Sequence, residues 1–408
     1  MGTTTRLYGL GIATPPHHSP QAAVGAFMAR VVAAEAERTA AEAVLAARST
    51  SPVAEPASAA RRPVRSARLI RRLYAESGIE RRFSILADYT KVDPDGFCFF
   101  PPNWALHPFP TTADRMAVYR EASVDLAAEA ARAALAEAGI APGDVTHLVI
   151  STCTGFFAPG PDVMLVRRLG LAPTVQRTVI GFMGCNAGFN GLRNAGAIVG
   201  ADEGAVVLQV CVELCSLHFQ RDDASETLIA NCLFSDGASA AIWAADGRFP
   251  GGHGTLRGTH SRIHDDSLDQ MGWRIGDHGF VMTLSDAVPD TLSEAIGPFV
   301  DVLLAGSGSA RARVAGWAIH PGGKRIVEGL GRALALSDAQ LSSAFGVLRD
   351  YGNMSSATIL FVIQRELARL RAAGEEGGAA GGDDGGDVVA LGFGPGLSIE
   401  GAVLRVDR

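Results

Sequence analysis

Two short aliphatic runs, HLVIST at 147–152 and AVVLQVCV at 205–212, limit the possible folds more than any other feature of the chain. Neither alternates polar with apolar residues, so neither can leave one face of a sheet in water. Both read as strands buried on two sides, and a sheet covered on both faces needs helices above and below it. The stretch between them supplies one: a glycine-rich turn at 181–184 leads to Cys185 and a small-residue helix running to about Val199. The second half repeats the style. RVAGWAI (313–319) reads as a strand, Lys324–Leu336 as a helix, and Ser355–Ala373 as a longer helix ended by Gly374. VVALGFG (388–394) and SIEGAVLRV (398–406) then form a hairpin-like pair. Strands alternating with helices in two similar halves predict an α/β fold with layered sheets, built from a duplicated half-domain.

Other segments read less regularly. Arg6–Ala13 is a strand and Gln21–Ala46 an alanine-rich helix, after which residues 48–67 turn to Ser, Pro, Ala and Arg and read as a mobile insertion. Order returns at Arg68 with a basic helix, followed by SGIERRF (77–83). FFPPNWALHPFPTT (99–112) reads as an irregular loop, and Arg120–Ala138 as a helix closed by Gly139. EEGGAAGGDDGGD (375–387) is an acidic, flexible, solvated loop. With 408 residues, 47% hydrophobic and 19% charged, the chain can bury real cores and is not disordered. A net charge of −7 leaves no broad basic field for nucleic acid or an anionic membrane. No apolar run reaches the roughly 18 residues of a membrane span, and MGTTTRLYGLG has no hydrophobic signal core. Six cysteines are too few for a disulfide scaffold. A reduced, cytoplasmic protein is the expectation.

Three residues stand where chemistry is done. Cys185, in GFMGCNAGFNGL (181–192), opens a helix, where the dipole lowers a thiol pKa and neighbouring N–H groups can form an oxyanion pocket. The bland alternative is a buried, inert thiol. His320, in GWAIHPGG (316–323), ends a strand just before a tight turn, a place where α/β proteins expose functional side chains. A satisfied structural histidine is the alternative. Asn353, in DYGNMSSAT (350–358), precedes a helix and could simply be a cap. Together they can supply nucleophile, base and amide donor. Cys211, Cys215 and His218 in CVELCSLHF (211–219) have helical metal-ligand spacing but make only one half-site. GFGPG (392–396) lacks dinucleotide-loop spacing and opens no helix, so it reads as a backbone wall close to a ligand. Phe234, in CLFSDGASA (232–240), reads most simply as a core aromatic before a turn.

GFMGCNAG, CLFSDGASA, GWAIHPGG, YGNMSSAT and GFGPG occur in the order and spacing of type III polyketide synthases, and from about Arg6 to Val406 the chain resembles these chalcone-synthase-like enzymes of the thiolase fold. The resemblance implies a layered αβαβα architecture of two thiolase-like halves, 1–245 carrying the cysteine and 246–408 carrying the histidine and asparagine. It places the family's catalytic triad on Cys185, His320 and Asn353 and its gatekeeper phenylalanine on Phe234. Ketoacyl-ACP synthase III enzymes share such a triad, but their histidine is usually followed by Gln-Ala-Asn; here Pro321-Gly322-Gly323 follows. The plant enzymes' second gatekeeper aligns with Met282, and their pocket threonine/serine pair with Cys153-Thr154. Two further threonines align with Cys215 and His218, and the loop methionine pushed across the plant dimer with Ala158. Gly394 and Pro395 fall on the cavity wall, and Arg81 and Arg82 on the CoA-phosphate region. Met and Cys make the tunnel apolar and deformable, which suits a long aliphatic starter; His218, larger than threonine, works against that. STCTGF and CVELCSLHF look like bacterial alkylresorcinol and alkylpyrone synthases. The resemblance thus implies an acyltransferase that takes an acyl-CoA starter and malonyl-CoA, works as a homodimer and needs no metal or prosthetic group. The alternatives are a single condensation on an acyl carrier protein, as in ketoacyl-ACP synthase III, and a non-catalytic acyl-binding thiolase-fold partner.

Overall fold

The aliphatic runs become strands of one nine-stranded sheet, and side-chain alternation along them shows where the helices lie. The computed structural model describes residues 3–50, 62–376 and 385–407. Its first half contains β1 (Thr5–Ala13), β2 (His17–Pro20), α1 (Gln21–Thr50), α2 (Arg62–Glu76), β3 (Arg81–Ser84), α3 (Thr112–Ala138), β4 (His147–Thr152), α4 (Pro161–Leu169) and β5 (Gln176–Gly181). α5 (Ala187–Ala201), β6 (Val206–Leu214), α6 (Ser225–Leu233) and β7 (Asp236–Ala245) follow. The second half has β8 (Gly254–Ile263), β9 (Met271–Gly276), β10 (Gly279–Leu284), α7 (Val288–Gly306), β11 (Val314–Ile319), α8 (Lys324–Ala333) and α9 (Asp338–Tyr351). It closes with α10 (Thr358–Glu376), β12 (Asp387–Gly394) and β13 (Ser398–Val406).

The sheet order is β11-β12-β13-β8-β1-β7-β6-β4-β5. In the first half β4 runs parallel to β6, β6 antiparallel to β7, and β7 antiparallel to β1. The second half repeats this: β11 parallel to β12, β12 antiparallel to β13, β13 antiparallel to β8. The halves meet at β1 and β8 through Arg6–Thr255 and Leu7–Gly254. Successive strand residues point to opposite faces. Leu148 and Ile150 of β4 join a core with α3, while Val149 joins a second core with Phe189 and Leu192 of α5 and Ile359 and Ile363 of α10. Val388 and Ala390 of β12 enter that same middle core, whereas Val389 and Leu391 pack on Leu292 and Phe299 of α7 and Leu330 of α8. The layers are therefore α3, first half-sheet, α5 with α10, second half-sheet, and α7 with α8. This is the thiolase-like αβαβα arrangement. Small residues make it possible: a Cβ on Gly9 or Gly11 of β1 would lie 2.3 or 2.1 Å from carbonyl oxygens of α3.

Several element boundaries differ from the sequence reading. α3 starts at Thr112 instead of Arg120, because Thr111 and Asp114 form a reciprocal capping box. α8 stops at Ala333, and α10 continues through Gly374 to Glu376. Of the 48–67 insertion, 48–50 continue α1 and 62–67 open α2; residues 51–61 lie outside the described residues. Likewise 375–376 belong to α10, Asp387 opens β12, and 377–384 lie outside. Among the described residues no helix is long and apolar enough to cross a membrane.

Candidate active site

Cys185 sits in a 3₁₀ turn, Gly184–Asn186, immediately before α5. Gly184 has φ +70°, and a Cβ there would stand 2.3 Å from Cδ of Pro395, so the GFGPG wall is pressed against the turn that carries the thiol. His320 follows β11 and extends its ladder, donating its backbone N–H to Leu391 O at 2.8 Å. Asn353 bridges to the Phe234 strand: its N–H donates to Leu233 O at 3.0 Å, and Ser235 N–H donates to its carbonyl at 2.9 Å. Its side-chain Oδ1 accepts Ser355 N–H at 2.8 Å, the turn role read from sequence, and that bond fixes the amide. Nδ2 then lies 3.4 Å from Gly322 O, beside the His320 turn, and 4.0 Å from Cys185 Sγ.

The electrostatics differ from the helix-dipole expectation. Burial pushes the Cys185 thiol up to about 11; Ser355 and Asn353 hydrogen bonds oppose this and the nearby Glu213 carboxylate adds to it. Burial is the largest influence on this thiol. His320 is 1% exposed, burial pushes its imidazole down to about 3, and neither ring nitrogen has a hydrogen-bond partner among the described residues. At that value the imidazole is neutral, with one N–H to donate and one lone pair, and it becomes a useful base only when a nearby negative charge raises its pKa.

Two adjoining chambers surround the thiol. The inner one is lined by Cys153, Thr154, Cys185, Ser355 and Pro395. The outer one is walled by Phe83 of β3, by Leu86 and Tyr89 just after it, and by His218 and Phe219 in the turn that follows β6. Cys215, Phe234, Trp273 and Met282 line both and form the neck between them. The residues assigned to the cavity from sequence thus converge, with one exception. Gly394 is not among the lining residues; it backs Asn186, whose side chain a Cβ there would meet at 2.6 Å. Arg82 is turned inward and committed: it donates to the carbonyls of Asn231 and Phe234 and lies over the Tyr74 ring at 5.5 Å. Arg81 is exposed on β3. Neither borders the large open cleft beside Leu233, Gly322 and Gly323, whose rim carries Lys324 and Arg325. Both cations stand in the first turn of α8, where Lys324 pairs with Glu328 at 3.8 Å. Sequence reading passed over these cations, and also Trp273 and Glu213. Trp273 donates Nε1–H to Cys153 O at 2.8 Å. Glu213 is fully buried in β6 and accepts from Cys153 N–H, Thr154 Oγ1 and Ser356 Oγ; one acid in an apolar strand was its only mark.

A thiolase-type layered fold whose cysteine lines an apolar cavity, with an asparagine amide beside the thiol and an unpartnered histidine on the neighbouring turn, fits a condensing enzyme that handles acyl thioesters. The comparisons narrow the class. The sequence matches the N-terminal domain of chalcone and stilbene synthases over residues 70–247 and their C-terminal domain over 259–407. It is 32% identical over 301 residues to "Alpha-pyrone synthesis polyketide synthase-like Pks18" of Mycobacterium tuberculosis, covering 73% of this chain and 74% of that one. It is 34% identical over 339 residues to the "3,5-dihydroxyphenylacetyl-CoA synthase" of Amycolatopsis balhimycina, covering 82% and 85%. The crystal structure of PKS-I from the brown alga Ectocarpus siliculosus superposes with a TM-score of 0.84 at 30% identity, covering 100% of this chain and 99% of that one. The chain belongs to the chalcone and stilbene synthase family and is a type III polyketide synthase, a transferase that catalyses decarboxylative condensation.

Proposed function

We propose that this synthase loads a fatty acyl group from coenzyme A onto Cys185, extends it with malonyl-CoA, and cyclises the product to an alkylpyrone or alkylresorcinol. The observation that carries the reading is the cavity lining: the thiol lies in an inner chamber beside the Asn353 amide, and a mostly apolar outer chamber adjoins it through Cys215, Phe234, Trp273 and Met282. The relative named for α-pyrone synthesis supports the product class.

In this mechanism neutral His320 accepts the Cys185 proton, and the thiolate attacks the acyl-CoA carbonyl. The C–S bond to coenzyme A breaks, and His320 returns the proton to the departing thiolate. The Asn353 amide, joined by His320 once its single N–H has moved by proton exchange with solvent to the nitrogen facing the site, then donates to the malonyl thioester oxygen, stabilising the enolate that forms as CO₂ leaves. The enolate carbon attacks the Cys185 acyl carbonyl, a C–C bond forms, and the cysteine thiolate departs. The longer chain reloads for another round. Trp273, Met282 and Phe234 limit how much chain the inner chamber holds. The coenzyme A phosphates lie at the Lys324–Arg325 rim, the reading that replaces Arg81 and Arg82.

The working unit is a homodimer. β5 is a sheet edge with an exposed backbone, and Phe156, Val179 and Met183 are exposed apolar residues on or near it. Light scattering after size exclusion checks this, and a monomer would refute it. Function is tested by incubating the protein with malonyl-CoA and acyl-CoAs of graded length and identifying the products by mass. Pyrones or resorcinols bearing the starter's alkyl chain are expected. Absence of any product longer than the starter, or a strict need for a carrier protein, would overturn the reading.

A further inference from the structure

His218 does not face the cavity as a free side chain. It is fully buried, Nε2–H donates to Thr154 O at 2.7 Å, and Nδ1 accepts Phe280 N–H at 2.9 Å. Both nitrogens are used, which fixes the tautomer and leaves none for proton transfer. Its ring stacks on Phe280 at 4.2 Å and 12°, and meets Trp273 edge-on at 5.5 Å and 89°.

These contacts join three walls of the neck. His218 ends the 3₁₀ turn Cys215–His218, and Cys215 is a neck residue. Thr154 belongs to the inner chamber. Phe280 belongs to the β9–β10 hairpin, where Trp273 and Met282, the remaining movable neck residues beside Phe234, are directly opposed partners. The hairpin is a separate two-stranded ribbon, outside the main sheet, so only side chains and its turn hold it in place. Thr112 secures the turn, accepting from Gly279 N–H at 2.8 Å, and Trp273 Nε1 reaches Cys153 O. Between these two anchors His218 bonds the hairpin to the body of the enzyme at the level of the neck, with Gln220 Nε2 donating beside it to Phe280 O at 3.4 Å and to His278 O at 2.9 Å.

We propose that His218 is a positioning residue for starter selection: by latching the β9–β10 hairpin to Thr154 it fixes the bore of the neck, and so how sharply the enzyme discriminates acyl chains by length. The proposal rests on the reading that acyl groups are loaded at Cys185 and deepens it. Bond geometry, and not ring bulk alone, does the selecting. His218→Gln separates the two, because Oε1 can accept from Phe280 N–H while Nε2 donates to Thr154 O. His218→Phe keeps the stacked ring and loses both bonds.

The test is acyl transfer to the protein from straight-chain acyl-CoAs of increasing length, read as intact mass, which needs no condensation product. For the wild type a preferred length is expected. In His218→Phe the ratio of best to worst starter should fall by about tenfold, what losing one or two buried hydrogen bonds amounts to, and His218→Gln should restore most of it. A His218→Phe ratio unchanged within about twofold, or equal loss in both variants, overturns the proposal. Hydrogen exchange at the Phe280 amide of the wild type tests the latch even if His218→Phe does not fold. Strong protection is expected, and exchange as fast as in the exposed hairpin turn overturns the latch. If no starter acylates the wild type, the loading reading fails, while the exchange experiment still reports on the latch.

Discussion

Replacing Gly184 by alanine should damage the site in a way that can be separated into parts. At φ +70° an L-residue costs about 1–2 kcal/mol in backbone strain. The new Cβ would also stand 2.3 Å from Cδ and 2.8 Å from Cγ of Pro395. A proline ring cannot rotate out of the way, so the wall or the thiol turn must shift, an overpacking cost of about 1–3 kcal/mol. The expected loss is therefore about 2–5 kcal/mol of stability. Gly139 supplies the control: φ is +65° and a Cβ there would meet nothing within 4 Å, so its alanine variant carries only the strain term. Denaturant titration of both variants should place Gly184→Ala about 1–3 kcal/mol below Gly139→Ala. Displacing the nucleophile by about 1 Å should also slow Cys185 acylation by about 10²-fold, while Gly139→Ala acylates as the wild type does. Equal stabilities of the two variants, or undiminished acylation of Gly184→Ala, would refute the claim that the wall sets the position of the thiol.

Three further predictions concern the chemistry. Because burial holds the Cys185 thiol up to about 11, raising the pH populates the thiolate, and iodoacetamide alkylation of that residue should accelerate about tenfold per pH unit from 7 to 9; a plateau already reached at pH 7 would show that the thiolate is preformed. Asn353→Ala removes the amide donor and should slow malonyl-CoA decarboxylation about 10²–10³-fold while acyl loading changes little; parallel loss of both would assign the residue to loading instead. Trp273→Ala deletes the indole that lines both chambers and its bond to Cys153 O, so products from longer starters should increase at a stability cost of about 2–4 kcal/mol; an unchanged product distribution would mean that Trp273 does not divide the cavity.

Legibility in the sequence followed burial and local chemistry. HLVIST was readable because all its residues but His147 are buried, so the apolar run has no other explanation. β5, QRTVIG, was not: its first four residues are exposed, and only pairing with β4 makes it a strand. Cys185, His320 and Asn353 were visible because each sits at a junction between a turn and a regular element. Residues whose roles depend on convergence were not. Glu213 meets Cys153 and Thr154 across about sixty residues of chain. Trp273 gains its place only when an irregularly patterned hairpin folds over the cavity. The Arg81-Arg82 doublet reads as one basic patch in sequence, but strand alternation separates the pair, turning Arg82 inward to carbonyl partners and leaving Arg81 exposed. In sequence His218 shows only its bulk, and its two hydrogen bonds, to Thr154 and Phe280, are invisible in one dimension.

Cys185 as the acyl acceptor is tested most directly by peptide-level mass spectrometry after the protein meets a fatty acyl-CoA without malonyl-CoA. The predicted result is a single acyl group on the peptide that contains Cys185, none in Cys185→Ala, and its conversion to an extended, cyclised product when malonyl-CoA is added. An adduct on Cys153 or Cys215 in its place, or continued condensation by Cys185→Ala, would contradict it.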